Sequence, residues 1–100
     1  MKIFTGSDGG DVFVSEPDAF VRELDMTARA RQHSPTGFAW GYGGSGPAAL
    51  AHSLLTDVMG ESYANVHYME YKWDIIAGLH QDQPWVMTDK DTRAWAARHP

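Results

Sequence analysis

The stretch GFAWGYGGSGPAAL, residues 37–50, marks the point where the sequence changes from a turn-rich pattern to a helical one. Its five glycines permit positive φ angles and let other groups approach the backbone closely. Pro47 suits the first turn of a helix, where the missing N–H removes no hydrogen bond. We therefore interpret the stretch as a corner that leads from a sheet into a helix. At least one of the rings of Trp40 and Tyr42 is expected to pack on a neighbouring element.

The residues before this corner, 1–36, are rich in strand and turn signals. Short β-prone runs at 2–5 and 11–15 flank the sequence GSDGGD, whose glycines and aspartates are typical of a hairpin turn. Residues 18–24 fit either a helical turn or a third strand. Residues 25–36 lead into QHSPTG, residues 32–37, and this composition indicates a loop.

A first helix is predicted directly after the corner. Ser45 or Gly46 caps it, and Gly60 is a natural stop at its C-terminal end. Apolar residues recur inside it at i, i+4 and i+8, which predicts one side facing the core. This stripe consists of Leu50, Leu54 and Val58.

A second helix is predicted over residues 63–77, with Ser62 as its cap and Gly78 as its end. Its main apolar stripe is expected to face the core and consists of Val66, Met69, Trp73 and Ile76. A second apolar group lies roughly opposite and consists of Tyr68, Tyr71 and Ile75. A helix that is apolar on two sides either packs between two layers or meets a partner with one side. Packing between the first helix and the sheet is the favoured interpretation, and a partner or dimer contact is the alternative.

The C-terminal part combines an extended run with a last helix. Residues 84–88, PWVMT, are predicted to be extended. Thr88 and Asp91 have the spacing of a capping box, with aspartate in place of glutamate. The last helix, over 89–97, then presents Trp95.

Length and composition fit one compact domain over residues 1–100, with a strand-rich part, 1–36, and a part with the glycine loop and the helices, 37–100. The elements predict an α+β fold: a small antiparallel sheet from the N-terminal half, packed on two longer helices and a short C-terminal helix. No apolar run has the length of a membrane span, and the start, MKIFTGSDGG, lacks a signal-peptide pattern. We therefore expect a cytoplasmic protein that does not contact membranes.

The chain has no cysteine and a formal net charge of −5 at pH 7. The lack of cysteine excludes disulfides, thiolate catalysis and cysteine-rich zinc sites. An acidic chain lacks the basic surface that phosphate backbones need, so we expect no direct nucleic-acid binding. A basic partner protein, such as one in a nucleoprotein complex, fits the charge better. Solubility alone is the simpler explanation of an acidic surface.

Residues 41–46 match the G-x-G-x-x-G pattern of dinucleotide-binding loops, but their context differs. A second helix is predicted where that fold needs a second parallel strand. Pro47 and Ala48 stand where a phosphate loop needs lysine and then serine or threonine, and Pro47 also takes the last place of a G-x-S-x-G nucleophile elbow. Ser45 is therefore interpreted as a helix cap. An anionic group held by free N–H groups of residues 41–47 is the alternative function.

No arrangement of residues in the sequence predicts catalysis, a cofactor or a metal. The best cluster of metal-ligand residue types is His67, Glu70 and Asp74, at i, i+3 and i+7 of the second helix. Without ligands from a second helix, this cluster is interpreted as a solvated polar face. His52 borders the apolar stripe of the first helix and is expected to be a hydrogen-bonded structural residue.

The glycine core resembles that of a family of small bacterial, plasmid and phage proteins classed as a domain of unknown function, with the pattern GF-x-WGYGGSGP-x-xLA-x-x-LL. Further similar positions belong to a Y-x-x-(Y/F)K signature, a W-x-(L/M)T run and a final helix: Tyr68, Tyr71, Lys72, Trp85, Met87, Thr88 and Trp95. The similarity covers about residues 33–96 and departs at Ala49, where the family often has glutamine. The resemblance implies no activity. It implies a context of mobile elements, in which small acidic proteins often occlude host defence complexes, including CRISPR effectors.

We therefore expect a non-enzymatic protein-binding module of phage or mobile-element origin, which inhibits a host defence complex of the CRISPR type. The alternative is a small-ligand or anion-binding domain, enzymatic or not, that uses the loop 41–47. The chain is expected to be a monomer, or a homodimer that forms through the face of Tyr68 and Tyr71. The candidate binding residues are Trp40, Tyr42, Gly43, Gly44, Ser45, Gly46, Glu61, Tyr68, Glu70, Tyr71 and Asp74.

Overall fold

The computed structural model describes residues 1–7 and 9–100. Within these residues the chain forms an antiparallel sheet, α-helices and a short π-helical segment. The α+β fold predicted from the sequence is therefore confirmed. In chain order the elements are β1 (Ile3–Ser7), β2 (Asp11–Ser15), β3 (Arg22–Glu23), α1 (Ala28–His33), α2 (Ser45–Met59), α3 (Glu61–Tyr71), the segment π1 (Lys72–Ile76), β4 (Trp85–Thr88) and α4 (Asp89–Ala97).

The sheet has the strand order β3-β2-β1-β4, and all its pairs are antiparallel. The predicted hairpin is confirmed: Phe4 of β1 lies opposite Val14 of β2, and both side chains are buried. Gly9 and Gly10 supply the positive φ angles of the connecting turn, 91° and 87°. The sheet is not confined to the N-terminal half, because β4 pairs with β1 and places Met87 opposite Phe4.

The segment between β2 and the glycine loop contains a short strand and a helix. β3 resolves the ambiguity of residues 18–24 in favour of a strand. α1 corrects the prediction of a loop over 25–36 for residues 28–33, whereas residues 34–36 lie outside helices and strands as predicted. Thr27 is the N-cap of α1, and its hydroxyl accepts a hydrogen bond from the N–H of Ala30 over 3.1 Å. A helix of only six residues carries too little periodicity to be recognised from the sequence.

α2 runs through the centre of the molecule and is buried on most of its surface. Its N-cap is Gly44, which corrects the prediction of Ser45 or Gly46, while Gly60 ends the helix as predicted. The predicted stripe is buried, and the opposite side is buried too, because α1, α3 and α4 all pack against this helix. In the part of the chain that the structure describes, no helix combines the length and apolar character needed to cross a membrane.

α3 buries the face opposite to the one predicted. Three residues of the expected core stripe are 76%, 43% and 61% exposed: Val66, Met69 and Trp73. Ile76 is buried as predicted, but Tyr68 and Tyr71 are buried as well. The helix begins at Glu61 with Gly60 as N-cap, which corrects the prediction of a cap at Ser62.

Polar partners inside the fold explain why the two tyrosines take the interior positions. The Tyr68 hydroxyl lies 2.8 Å from Nε2 of His33, and the Tyr71 hydroxyl lies 3.0 Å from Oγ1 of Thr92. A buried hydroxyl with a hydrogen-bond partner avoids the cost of desolvation. The tyrosine face can therefore cover α2, and Val66 is left on the outside.

α4 confirms the predicted capping box. The Thr88 hydroxyl accepts a hydrogen bond from the N–H of Asp91 over 3.2 Å, and the Asp91 carboxylate accepts one from the N–H of Thr88 over 3.0 Å. Trp95 is buried and meets the ring of Tyr71 edge to face, with centroids 5.0 Å apart. This contact fixes α4 on α3.

An ion-pair cluster ties the sheet to the C-terminal end of α2. The carboxylate of Asp57 lies 2.7 Å from Nζ of Lys2 and 2.9 Å from Nη2 of Arg22. Nζ of Lys2 also donates a hydrogen bond to the backbone carbonyl oxygen of Asp57 over 3.2 Å. The hydrogen bond to Asp57 raises the pKa of Arg22 above its ordinary value. One carboxylate thus holds the start of β1 and the strand β3 on the same helix.

Candidate functional site

The glycine loop forms the corner that the sequence predicts. Gly41 has a φ of 85°, and its N–H donates a hydrogen bond to the carbonyl oxygen of Ile76 over 3.0 Å. A Cβ atom at Gly41 would lie 2.5 Å from Cα of Gln81. The loop is therefore held close to the chain that follows π1, and only a residue without a side chain fits there.

Trp40 anchors the loop in the interior. Its ring is buried and meets Trp85 edge to face, with centroids 5.6 Å apart. Its indole N–H donates a hydrogen bond to the carbonyl oxygen of Gln83 over 2.9 Å. This confirms that one loop ring packs on a neighbouring element. Trp40, a candidate binding residue, is only 3% exposed, and it lines a cavity together with Phe38 and Ala39.

Two aromatic rings lie directly on consecutive glycines of the loop. A Cβ atom at Gly43 would overlap the six-membered ring of Trp73, and one at Gly44 would lie 2.6 Å from Cε2 of Tyr42. Gly46 is buried, and a Cβ atom there would lie 2.6 Å from Cβ of Ala39. These glycines are thus needed for close contact with neighbouring groups. Ser45, the first residue of α2, is exposed.

Lys72 connects the glycine loop to the end of α3. Its side chain is buried, and Nζ donates a hydrogen bond to the carbonyl oxygen of Gly43 over 3.0 Å. The same ammonium group lies 4.3 Å from the centroid of the Trp73 ring, a cation–π distance. The sequence identifies Lys72 only through the resemblance, because nothing in the spacing predicts a contact across 29 residues.

The exposed face of α3 and π1 carries an apolar strip. Val66, Met69 and Trp73 are separated by three and four residues and so lie on one side of the helical segment. Tyr42, which is 43% exposed, adds a second aromatic ring, which rests on Gly44, next in sequence to the glycine that Trp73 contacts. We call these four residues the exposed strip. The face of Tyr68 and Tyr71, which the sequence suggested as an alternative for a partner contact, is buried.

The three acidic candidates of α3 lie in two different places. Glu70 and Asp74 are exposed and lie 2.9 Å and 3.7 Å from Nε2 of His99. Asp74 also accepts a hydrogen bond from the indole N–H of Trp95 over 2.9 Å. Glu61 instead lines a cavity beside α1 and α2. The three residues therefore do not form one continuous acidic face.

His99, not His67, completes the cluster of possible metal ligands. Ligand atoms of Glu70, Asp74 and His99 lie within 4.8 Å of one another. Nδ1 of His99 donates a hydrogen bond to the carbonyl oxygen of Trp95 over 2.8 Å, which leaves Nε2 facing the two carboxylates. His67 stacks on another ring, that of Tyr63. The sequence missed this arrangement because His99 comes from the end of the chain, beyond the periodicity of α3.

A cavity of about 200 Å³ lies between α1, α2 and α3. Its lining includes His52, whose ring is buried, with Nδ1 2.7 Å from Oγ1 of Thr27 and Nε2 2.8 Å from Oδ1 of Asn65. These bonds confirm His52 as a hydrogen-bonded structural residue. The cavity itself could not be found from the sequence, because one of its walls is α1, which the sequence does not reveal.

Residues 4–98 match the family model of DUF6166, a family of unknown function. The match confirms the resemblance to a family of unknown function. No curated protein and no solved structure matches the chain.

Proposed function

The chain belongs to the DUF6166 family, and we propose that it is a non-enzymatic protein-binding module that docks on a basic partner protein through the exposed strip. The observation that carries this proposal is the exposure of Val66, Met69 and Trp73 along one side of α3 and π1, together with the exposure of Tyr42 on the glycine loop. Large apolar side chains grouped on a surface mark sites of protein interaction more often than scattered ones do.

The two rings of the exposed strip are already held in place. Trp73 lies on Gly43 beside the ammonium group of Lys72, and Tyr42 lies on Gly44. Rigid aromatic side chains lose little conformational entropy when a partner binds, and tryptophan and tyrosine are enriched among residues that dominate binding energy. This supports Trp73 and Tyr42 as the centre of the contact.

Charge supports a basic partner. The chain has a formal net charge of −5. Glu70 and Asp74 each come directly after a residue of the exposed strip in the sequence, on the same helical segment. Complementary charges at the edge of an interface speed association and suppress wrong partners. The partner surface would therefore surround an apolar pocket with lysine and arginine.

The resemblance to phage and mobile-element proteins supports a class of partner. We propose a nucleoprotein complex of host defence, of the CRISPR type, whose nucleic-acid channel is basic. By occupying such a surface, the chain would inhibit the complex without contacting its nucleic acid. The proposal includes no catalytic step.

The alternative, an anion site in the loop 41–47, has less geometric support. The rings of Trp73 and Tyr42 take the space over Gly43 and Gly44, and the ammonium group of Lys72 is already bonded to the carbonyl oxygen of Gly43. An anion would have to displace these contacts. Thermal unfolding with and without inorganic phosphate tests this alternative directly, because a ligand that binds the folded state raises the melting temperature.

The docking proposal is tested with a partner captured by the tagged chain from its natural host and then reconstituted from purified components. We expect stoichiometric binding that weakens by roughly tenfold or more in Trp73→Ala, the usual effect at a residue that dominates an interface. Val66→Lys should weaken binding as well, because it places a positive charge against a basic surface. Val86→Lys is the matched control, since Val86 is an exposed valine of the sheet.

Two results would overturn the proposal. Equal binding by Trp73→Ala, Val66→Lys and the control would show that the exposed strip is not the contact. A stable homodimer in sedimentation experiments that Val66→Lys dissociates would assign the strip to self-association instead. The charge component is tested separately by Glu70→Gln with Asp74→Asn, which should slow association and reduce its dependence on salt.

A further inference from the structure

We propose that the cavity between α1, α2 and α3 binds a small zwitterion of the α-amino acid type. The cavity has a volume of about 200 Å³ and two walls of opposite formal charge, Arg29 and Glu61. The amide side chains of Gln32 and Asn65 also line it, and His52 forms part of its buried floor. This site is separate from the exposed strip and does not depend on the docking proposal.

The floor of the cavity is a chain of hydrogen bonds. The Thr27 hydroxyl accepts a hydrogen bond from the N–H of Ala30 and also lies 2.7 Å from Nδ1 of His52. Nε2 of His52 lies 2.8 Å from Oδ1 of Asn65, and because this oxygen can only accept, Nε2 is the donor of that bond. The carbonyl oxygen of the Asn65 amide is thus occupied by His52. Both N–H bonds of this amide are left for a ligand.

The two charged walls have the groups that a zwitterion needs. A guanidinium group binds a carboxylate through paired hydrogen bonds, and a carboxylate accepts hydrogen bonds from an ammonium group. Among the described residues, no ion pair joins Arg29 to Glu61 or ties either of them to another side chain. The Arg29 guanidinium lies 5.9 Å from the centroid of the Tyr68 ring, which limits its positions.

Charge and size narrow the class of ligand. One positive and one negative wall give a site without net charge, which favours a zwitterion over a phosphate ester or a metal ion. The volume of about 200 Å³ is below the roughly 300–1,000 Å³ of pockets for drug-sized ligands. A single free amino acid matches this volume better than a nucleotide or a peptide does.

The test is titration of the isotope-labelled full chain with each of the common free amino acids, followed by backbone NMR shifts. We expect saturable shifts at Arg29, Glu61 and Asn65 for at least one amino acid, with a dissociation constant of about 10 mM or lower. Arg29→Gln and Glu61→Gln should each weaken binding by roughly tenfold or more, the loss expected for one charge-assisted hydrogen bond. Arg93→Gln and Glu23→Gln are matched controls, because both residues are exposed and lie on other elements.

Three outcomes would overturn the proposal. The first is the absence of shifts at these residues for every amino acid up to about 10 mM. The second is equal binding of an N-acetylated amino acid amide, which lacks both charges. The third is binding of inorganic phosphate at the same residues with the same affinity, which would show an anion site. Each readout uses the isolated chain, so a failed docking proposal would not affect the result.

Discussion

Nζ of Lys72 donates a hydrogen bond to the carbonyl oxygen of Gly43 over 3.0 Å, and the next residue, Trp73, lays its ring on the same glycine. Two neighbouring side chains of π1 therefore hold one residue of the glycine loop from two directions. The π-helical turn contributes to this, because its wider repeat changes the direction of side chains after Tyr71. The loop and the exposed face of the helix are thus one structural unit.

Substitution of Gly43 by alanine should destabilise the fold. The added methyl group would overlap the ring of Trp73, and overpacking of this kind typically costs about 1–3 kcal/mol. Urea unfolding monitored by tryptophan fluorescence measures the change. Gly78→Ala is the control, because a Cβ atom there has its nearest neighbour at 3.6 Å. Equal midpoints for the two variants would show that Trp73 does not rest on Gly43 in solution.

The choice of buried face on α3 can be measured by two alanine substitutions. Tyr71→Ala removes a ring buried against Trp95 and should cost about 3–5 kcal/mol, or abolish cooperative unfolding. Val66→Ala changes an exposed side chain and should stay within about 0.5 kcal/mol of the wild type. Thermal or urea unfolding of both variants gives the comparison. A large cost for Val66→Ala with a small one for Tyr71→Ala would mean that the helix is rotated.

Alkaline pH should weaken the fold through Tyr71. Burial raises the pKa of this hydroxyl from 10.0 to about 12, so between these values the unfolded chain loses a proton that the folded chain keeps. The contribution of this group to the free energy of unfolding is complete below pH 10 and is lost as pH rises towards 12. The total loss is about 2–3 kcal/mol. Unfolding experiments along this pH range measure the slope.

Tyr71→Phe is the matched variant for the pH experiment. It lacks the titrating group and should show a shallower fall in stability between pH 10 and pH 12. At neutral pH it should be less stable than the wild type by about 1 kcal/mol, since it loses the hydrogen bond to Thr92. Parallel curves for the two proteins would contradict the burial of the Tyr71 hydroxyl.

The capping box of α4 should contribute measurably to stability. Thr88→Ala removes the acceptor for the N–H of Asp91 and should cost about 1 kcal/mol. Thr88→Ser keeps a hydroxyl in the same place and should recover most of the loss. Urea midpoints of the three proteins measure both effects. A serine variant as unstable as the alanine variant would assign the effect of Thr88 to its strand position rather than to the cap.

The sequence predicted best those features whose causes lie within a few residues. The hairpin of β1 and β2 follows from alternating apolar residues around a glycine-rich turn. The end of α2 at Gly60 and the box of Thr88 with Asp91 follow from local capping chemistry. α1 was missed because a six-residue helix has too few positions to show a helical period in its apolar residues.

The candidate site was predicted only in part. The glycine loop was identified as a corner, and the need for its glycines was correct. The ring of Trp73 that uses Gly43 could not be assigned, because Trp73 is 30 positions away from this glycine in the sequence. His99 likewise joins Glu70 and Asp74 only through the packing of α4 on α3.

The sequence by itself thus determined the α+β class, most of the elements and the corner at the glycine loop, since turns, caps and periodicity act over short distances. Only the tertiary structure decided which side of α3 faces inwards. Both sides are apolar, so the choice depends on where polar partners for Tyr68 and Tyr71 lie. Those partners, His33 and Thr92, are 35 and 21 residues away along the chain. Tyr68 and Tyr71 are buried with their hydroxyls hydrogen-bonded. The opposite side of the helix is therefore exposed to solvent, and it forms the exposed strip.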